Sequence, residues 1–269
     1  MRKIKTIALV APSGNIRDFK DLNSKIQFLE KNFKIKKFYN ETKSAIYLSD
    51  SDENRIKFLE QAFCDDEVDL VLSVRGGFGA LRILDKINFE KIKNCDKFYA
   101  GSSDATILLS ALSNKTKIKC FHSLMMTNGF VENLEQNIKI IENDIFDIKL
   151  KPLKKGKLKG VLWGGNLSSI VSMLSNSAYE PNQDIILFLE DLNEPLYKID
   201  KMIYEIYRSK IKSKIKGLIF GDFYLEDDDV IPLFKNYAEL FNVAAYSTTD
   251  ITHKMNNITI PYLKAIDLF

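Results

Sequence analysis

His122 and His253 are the only histidines in the chain, so general-base chemistry by imidazole has two candidates. His122 follows the apolar run Ile118–Phe121 and reads as a structural or pocket-lining group, whereas Thr252-His253-Lys254 lies in a polar loop near the C-terminus. A nucleophile candidate stands in Phe98-Tyr99-Ala100-Gly101-Ser102-Ser103-Asp104-Ala105-Thr106. That segment runs from a strand pattern through small residues into an apolar helix. Such a turn can expose a serine beside helix N-terminal amides able to hold an oxyanion. Ser and Asp are equally the ordinary N-caps of any helix, so both readings stand at this level. Phe188-Leu189-Glu190-Asp191 ends an apolar strand in two carboxylates, either of which can orient an imidazole or simply be solvated in a turn.

Two glycine turns accompany these residues. Val74-Arg75-Gly76-Gly77-Phe78-Gly79-Ala80 permits close backbone approach and positive φ, as a substrate or oxyanion loop requires. Arg75 can grip a substrate carboxylate or brace the loop. Trp163-Gly164-Gly165-Asn166-Leu167 precedes a second helix, with Asn166 an N-cap or a substrate contact. Neither turn is a nucleotide motif. Counting G-x-G-x-x-G from Gly77 and Gly79 puts Arg82 at the third glycine, and no G-x-x-x-x-G-K-[ST] occurs. No cofactor and no metal is expected. Cys64, Cys95 and Cys120 are too widely spaced for a zinc pair or a disulfide framework, and read as reduced, mostly structural thiols.

The elements that must position these residues follow from hydrophobic periodicity. In the first half, β-rich runs at Ile4–Val10, Phe33–Phe38, Val68–Val74, Phe98–Gly101 and Ile118–Phe121 alternate with helical patterns. The helices fall at Phe19–Asn32, Asp52–Phe63, Ala80–Ile87, Ala105–Leu112 and Val131–Ile141. Such alternation predicts βαβ units and a mostly parallel sheet flanked by helices, with ligands at the carboxyl ends of the strands. Residues 1–145 read as this N-terminal α/β domain, 146–159 as a solvated lysine-rich linker, and 160–269 as a smaller, β-rich α/β domain. In the latter, strands are expected at Ile185–Leu189, Gly217–Phe220, Val243–Tyr246 and Ile258–Ile260, and helices at Asn166–Ser175, Leu196–Tyr207 and Val230–Leu240.

With 269 residues, 45% of them hydrophobic, the chain has material for one large domain or two modest ones. Its 39 basic and 36 acidic side chains leave a formal charge of +3, which argues against nucleic acid as a partner. The basic side chains are nearly all lysine; the arginines are Arg2, Arg17, Arg55, Arg75, Arg82 and Arg208. No apolar stretch approaches the roughly 18–20 residues of a membrane helix. The N-terminal run Ile7-Ala8-Leu9-Val10-Ala11 is too short for a signal peptide and reads as a buried first strand, giving a cytoplasmic expectation without membrane association.

Taken in order, these segments resemble the serine LD-carboxypeptidases, the family of muropeptide tetrapeptide peptidases and microcin-immunity peptidases. The resemblance rests on Val10-Ala11-Pro12-Ser13-Gly14, the helix leading to Arg75-Gly76-Gly77-Phe78-Gly79, Gly101-Ser102-Ser103-Asp104, His122, Gly164-Gly165-Asn166-Leu167, Leu189-Glu190-Asp191 with Tyr197, and His253 with Asn257-Ile258-Thr259-Ile260-Pro261. It departs from the family pattern at Ser102, Thr252, Ser175–Ala178 and Pro261-Tyr262.

The resemblance implies Ser103 as nucleophile, His253 as base and Glu190 as the orienting acid. It further implies oxyanion donors near Gly76, Gly77 and Asp104, and Arg75, Phe78, Trp163 and Asn166 toward substrate. Because nucleophile and base come from different expected domains, the pocket is expected where they meet. The resemblance also implies a first domain like the class I glutamine amidotransferase sheet, a homodimer, and a small peptide substrate. The leading reading is hydrolysis of the bond between meso-diaminopimelate and terminal D-alanine in murein tetrapeptides. A microcin-immunity-type peptidase cleaving a peptidyl-nucleotide, and a non-catalytic two-domain small-ligand binding protein, are the alternatives.

Overall fold

A computed structural model describes residues 3–41, 47–175 and 177–269, the side chain of Ser177 apart. Arg2, and Asn176 within the 175–178 segment, lie outside them. The chain divides into two units: the first runs to Phe146 and takes in Thr259–Pro261, and the second covers Asp147–Ile258 and Tyr262–Phe269.

The first unit alternates strand and helix as its periodicity predicts. Its strands are β1 (Thr6–Val10), β2 (Lys34–Phe38), β3 (Leu70–Ser73), β4 (Phe98–Gly101) and β5 (Lys119–His122). Its helices are α1 (Phe19–Leu29), α2 (Asp52–Cys64), α3 (Ala80–Leu84), the one-turn α4 (Phe89–Ile92), α5 (Thr106–Lys115) and α6 (Leu134–Asn143). The helices start where capping chemistry allows. Asp18 accepts from the Asp21 amide at 2.9 Å and Ser51 from that of Asn54 at 3.2 Å. β1 pairs in parallel with both β2 and β3, β3 with β4, and β4 with β5. The strands therefore lie in the order β5-β4-β3-β1-β2, a doubly wound arrangement whose carboxyl ends present the loops after β1, β3 and β4 side by side. Ile7, Leu9, Leu70 and Leu72 are fully buried under Leu22 and Leu29 of α1, at about 1.5–3 kcal/mol for each large apolar side chain.

The sheet's outer edge comes from far along the chain. β11 (Ile260–Pro261) pairs antiparallel with β5, Ile260 opposite His122 and Pro261 opposite Phe121. Proline has no N–H to donate, which suits it to this edge position. Behind β11, Thr259 Oγ1 donates to Asn137 Oδ1 at 2.7 Å and shares a hydrogen bond with Ser123 Oγ at 2.8 Å.

The second unit is another α/β layer. Its strands are β6 (Lys151–Lys154), β7 (Leu158–Asn166), β8 (Ile185–Glu190), β9 (Ile215–Phe220), β10 (Ala244–Ser247) and β12 (Ala265–Leu268). Its helices are α7 (Leu167–Met173), α8 (Leu196–Arg208) and α9 (Asp227–Phe241). β7, β8, β9 and β10 run parallel in sequential order, with β12 and β6 antiparallel at the two edges. Ile199, Ile203 and Ile206 of α8 and Phe234 of α9 are buried, as are Leu187, Phe188 and Phe220 of the sheet. Asp227, Asp228 and Asp229 fill the first turn of α9, where carboxylates meet the positive end of the helix dipole.

Two expectations change here. The lysine-dense segment is not a free linker: Lys151–Lys154 form β6, bonded to β10, and β7 begins at Leu158. Leu158 is buried, Leu153 is half-buried, and Lys154 Nζ is bonded to Glu239 Oε2 at 2.7 Å, which ties this edge strand to α9. The thiols also divide. Cys120 is buried in β5, but Cys64 is exposed at the C-terminal end of α2 and is not a core residue. Among the described residues no helix is long and apolar enough to cross a membrane.

Candidate active site

Ser103 sits immediately beyond β4, where a single 3-10 turn (Ser103–Ala105) leads into α5. Ser102 is fully extended, and Ser103 then takes φ +55°, a left-handed conformation that costs a residue with a Cβ roughly 1–2 kcal/mol. The surroundings hold it there. The Ala105 amide donates to the Ser102 carbonyl at 3.1 Å. Asp104, 4% exposed, accepts from the Ala80 amide at 2.8 Å and so fastens the serine turn to the start of α3. Burial pushes the Asp104 carboxyl above its ordinary value, against the Ser13 hydroxyl, the Ala80 amide and the charge of Arg55.

Gly76 makes the turn possible. A Cβ at that position would lie 2.8 Å from both Cβ and Oγ of Ser103, and 3.5 Å from the Asp104 amide nitrogen. The glycine backbone therefore passes directly against the hydroxyl, with the Asp104 amide in the same small space. The Gly76 carbonyl in turn accepts from the Gly14 amide at 3.0 Å, joining the loops after β1 and β3.

A residue the sequence reading did not single out organises this glycine loop. Arg55 of α2 is 2% exposed and donates to the carbonyls of Pro12 and, at 2.9 Å, Gly79. Its Nη2 donates to Asp52 Oδ1 at 2.5 Å. An arginine on an otherwise amphipathic helix carries no local signal of burial; only the meeting of α2 with two loops reveals it. Arg75, the expected candidate, is half-buried and donates to the Asn15 carbonyl at 2.7 Å, so it braces the loop. Phe78 is 47% exposed and tilts against Tyr47, ring centroids 6.1 Å apart.

In the second unit, β8 delivers two adjacent carboxylates with separate tasks. Glu190 is fully buried, and its Oε2 lies 2.7 Å from Nε2 of His253, 63 residues away in sequence. Asp191 turns the other way, accepting from Asn166 Nδ2 at 2.9 Å and from the Ser168 amide at 3.0 Å. Burial raises the Asp191 carboxyl, with Glu190 adding to the effect, while the Leu192 amide, the Ser168 amide and Asn166 oppose it.

The His253 ring is largely buried, which by itself disfavours its charged form. The Glu190 hydrogen bond and the charges of Glu190, Asp191 and Asp222 outweigh this and hold the imidazole pKa above its ordinary value. An ionised carboxylate only accepts hydrogen bonds, so with Glu190 ionised Nε2 would carry the proton and the lone pair of the neutral ring would lie on Nδ1. His122, the other histidine, is buried at the end of β5 in the first unit.

Two expected substrate contacts are otherwise engaged. Trp163 is 1% exposed and packs as a sheet residue, so it offers no open surface to a ligand. Asn166 caps α7, accepting from the Ser169 amide at 3.1 Å while donating to Asp191. The preceding Gly164, at φ +150°, lies so close to β8 that a Cβ would overlap the Phe188 carbonyl oxygen at 1.8 Å. The Tyr262 hydroxyl donates to the Gly164 carbonyl at 2.6 Å and secures that approach.

The first unit carries a serine in a left-handed turn and the second a carboxylate-backed imidazole. Comparison with known proteins gives the family. The LD-carboxypeptidase N-terminal domain matches residues 7–123 and the LD-carboxypeptidase C-terminal domain residues 159–268. The chain belongs to the LD-carboxypeptidase family, and is a serine carboxypeptidase. A probable murein peptide carboxypeptidase of Bacillus subtilis (strain 168) is 30% identical over 236 residues, covering 83% of this chain and 74% of the relative. Among solved structures, a MccF-like protein from Bacillus anthracis str. Ames superposes with a TM-score of 0.87 at 19% identity, over 99% of this chain and 94% of that one. A muramoyltetrapeptide carboxypeptidase from Oxalobacter formigenes gives 0.83 at 22% identity, over 98% and 94%. At these identities the two structures establish the shared fold.

Proposed function

We propose that the chain hydrolyses the L,D-peptide bond between meso-diaminopimelate and terminal D-alanine of murein tetrapeptides, as a cytoplasmic step of peptidoglycan recycling. Ser103 is the nucleophile, His253 the general base and Glu190 the acid that orients and stabilises the imidazole. The observation that carries this reading is the 2.7 Å contact between His253 Nε2 and the buried Glu190 carboxylate. The left-handed Ser103 turn against Gly76 supplies the nucleophile. The substrate is supported by the relatives named for murein peptides.

Ser103 Oγ attacks the diaminopimelyl carbonyl carbon while His253 Nδ1 takes the hydroxyl proton. Amides at Gly76, Gly77 and Asp104 are the candidates to hold the oxyanion, and losing one such donor costs about 3–4 kcal/mol of barrier. Collapse breaks the C–N bond, and the imidazolium returns its proton to the departing D-alanine amine. Water then attacks the acyl-serine ester as His253 takes its proton; the acyl C–O bond breaks, the imidazolium returns that proton to Ser103 Oγ, and the tripeptide leaves with serine and neutral histidine restored.

The test incubates the parent and Ser103→Ala with a murein tetrapeptide, the matching D,D-pentapeptide and a peptidyl adenylate, followed by mass spectrometry. Release of D-alanine from the tetrapeptide alone, abolished by the substitution, is the expected result. Cleavage of the peptidyl adenylate instead would reassign the substrate. No turnover of any of the three by the parent would overturn the reading.

A further inference from the structure

The loop that carries His253 is held by a chain of side chains that hydrolysis itself does not call for. The His253 backbone amide donates to Tyr224 Oη at 2.9 Å. Tyr224 Oη meets Thr252 Oγ1 at 3.0 Å, and Thr252 Oγ1 donates to Asp222 Oδ2 at 3.0 Å. Both ends of this chain have fixed polarity. An amide N–H can only donate and a carboxylate can only accept, so the Thr252 hydrogen points to Asp222 and the Tyr224 hydrogen to Thr252. That leaves the Tyr224 oxygen lone pairs facing the His253 amide. Thr252 Oγ1 also accepts from the Lys254 amide at 3.2 Å, so its one donor and two acceptor sites are all in use.

The acceptor end is anchored as well. Lys254 Nζ lies 2.8 Å from Asp222 Oδ2 and 4.6 Å from the centre of the Tyr224 ring. The Tyr224 amide donates to Asp222 Oδ1 at 2.8 Å, closing a turn in which Tyr224 itself takes φ +59°. Thr252 is 2% exposed, and its amide is bonded to Asn257 Oδ1 at 3.0 Å.

We infer that Asp222, Thr252 and Tyr224 are positioning residues for catalysis, a one-way hydrogen-bond relay that sets the backbone of His253 and with it the approach of the imidazole to Glu190. The inference rests on His253 being the catalytic base. The relay explains why an exposed-looking polar loop can present an imidazole with the constancy that catalysis needs. Small displacements of a catalytic group cost large factors in rate, and a loop without such ties is mobile. Asp222 has a second effect. Its charge, with Glu190 and Asp191, acts on the ring from the acidic side, while Lys254 and the neutral Tyr224 hydroxyl face the same loop. Burial works against the charged form of Asp222, but Lys254, the Tyr224 amide and Thr252 outweigh it and keep the carboxyl below its ordinary value, so it is ionised at neutral pH.

The test compares Tyr224→Phe, Thr252→Val, Thr252→Ser and Asp222→Asn with the parent for kcat, KM, the pH profile of kcat/KM, and the NMR titration of the His253 ring. With two histidines in the chain, one His122 substitution assigns both ring signals. Tyr224→Phe and Thr252→Val are expected to lower kcat about 10–100-fold with KM within about twofold. Thr252→Ser, which keeps the hydroxyl, should stay within about threefold. Asp222→Asn should move both the acid limb and the His253 titration to lower pH. Parental kcat and an unmoved His253 titration in Tyr224→Phe and Thr252→Val would overturn the relay, as would failure of serine to rescue position 252. The titration is read on folded protein whether or not it turns over substrate. Full activity in His253→Ala would instead remove the base assignment on which the relay's catalytic role depends.

Discussion

The surroundings of Ser103 are made of main chain: a left-handed φ of +55°, a neighbouring glycine with no room for a Cβ, and an Asp104 carboxyl tied to a backbone amide. Those of His253 are made of side chains, with a buried carboxylate on one ring nitrogen and a tyrosine, a threonine and a second carboxylate behind the loop. The first is held by steric fit within neighbouring loops after β1, β3 and β4. The second is held by charge and hydrogen-bond polarity between residues up to 63 positions apart. The serine half should therefore fail through added atoms, and the histidine half through lost charge or added protons.

The largest expected effect is at Ser103, the proposed nucleophile. Ser103→Ala should lower D-alanine release by at least about 10⁴-fold, since the bond-forming atom is gone. Glu190→Gln keeps the volume but removes the charge and the acceptor-only partner that fixes the tautomer, for a loss of about 10³–10⁴-fold. Activity of the Glu190→Gln variant within tenfold of the parent would show that the imidazole does not need its carboxylate, and would erase the contrast between the halves.

Gly76→Ala tests the steric half. Its new methyl would meet Ser103 Cβ and Oγ at 2.8 Å, and the displaced hydroxyl should lower kcat about 10²-fold while the chain still folds. An unchanged kcat would mean that the turn relaxes freely.

The pH profile tests the electrostatic half. Protonated His253 has no lone pair, so kcat/KM should fall about tenfold per unit as pH drops below the imidazole pKa. That acid limb should lie above 6.5, because the net effect of Glu190, Asp191 and Asp222 is to raise it against burial. A rate flat between about pH 5 and 8 would exclude His253 as base.

The smallest effect is in stability. Ser103→Gly removes the left-handed penalty and should melt about 2–4 °C above Ser103→Ala, equivalent to about 1 kcal/mol. Equal melting temperatures would mean that no strain is stored at Ser103.

Much of the serine half was legible beforehand because its causes are local. Glycines at 76, 77 and 79 announce a backbone that must come close, and Gly101-Ser102-Ser103-Asp104 between an apolar strand and an apolar helix announces a sharp turn. The alternation of strand and helix likewise follows from period-2 and period-3.6 patterns, which are properties of each segment alone. Boundaries moved by a few residues: α6 runs from Leu134 and α9 from Asp227, ahead of the first strongly periodic residue in the latter case. β12 was not expected, because the edge strand Ala265–Leu268 is four residues long, none of them fully buried, and draws its definition from pairing with β7.

What the sequence determined by itself was the inventory and the local geometry: two histidines, a serine turn, two strand-end carboxylates, two glycine loops and an α/β alternation. Tertiary structure decided which partners those residues take. It assigned Glu190, the last residue of β8, to His253, and Asp191, just past the strand's end, to the start of α7. It buried Trp163, drew Arg55 under the glycine loop, and sent the chain back at Ile260–Pro261 to complete the first sheet. Each of these depends on contacts between segments distant in sequence, where one residue's type carries no record of the neighbour that will satisfy it.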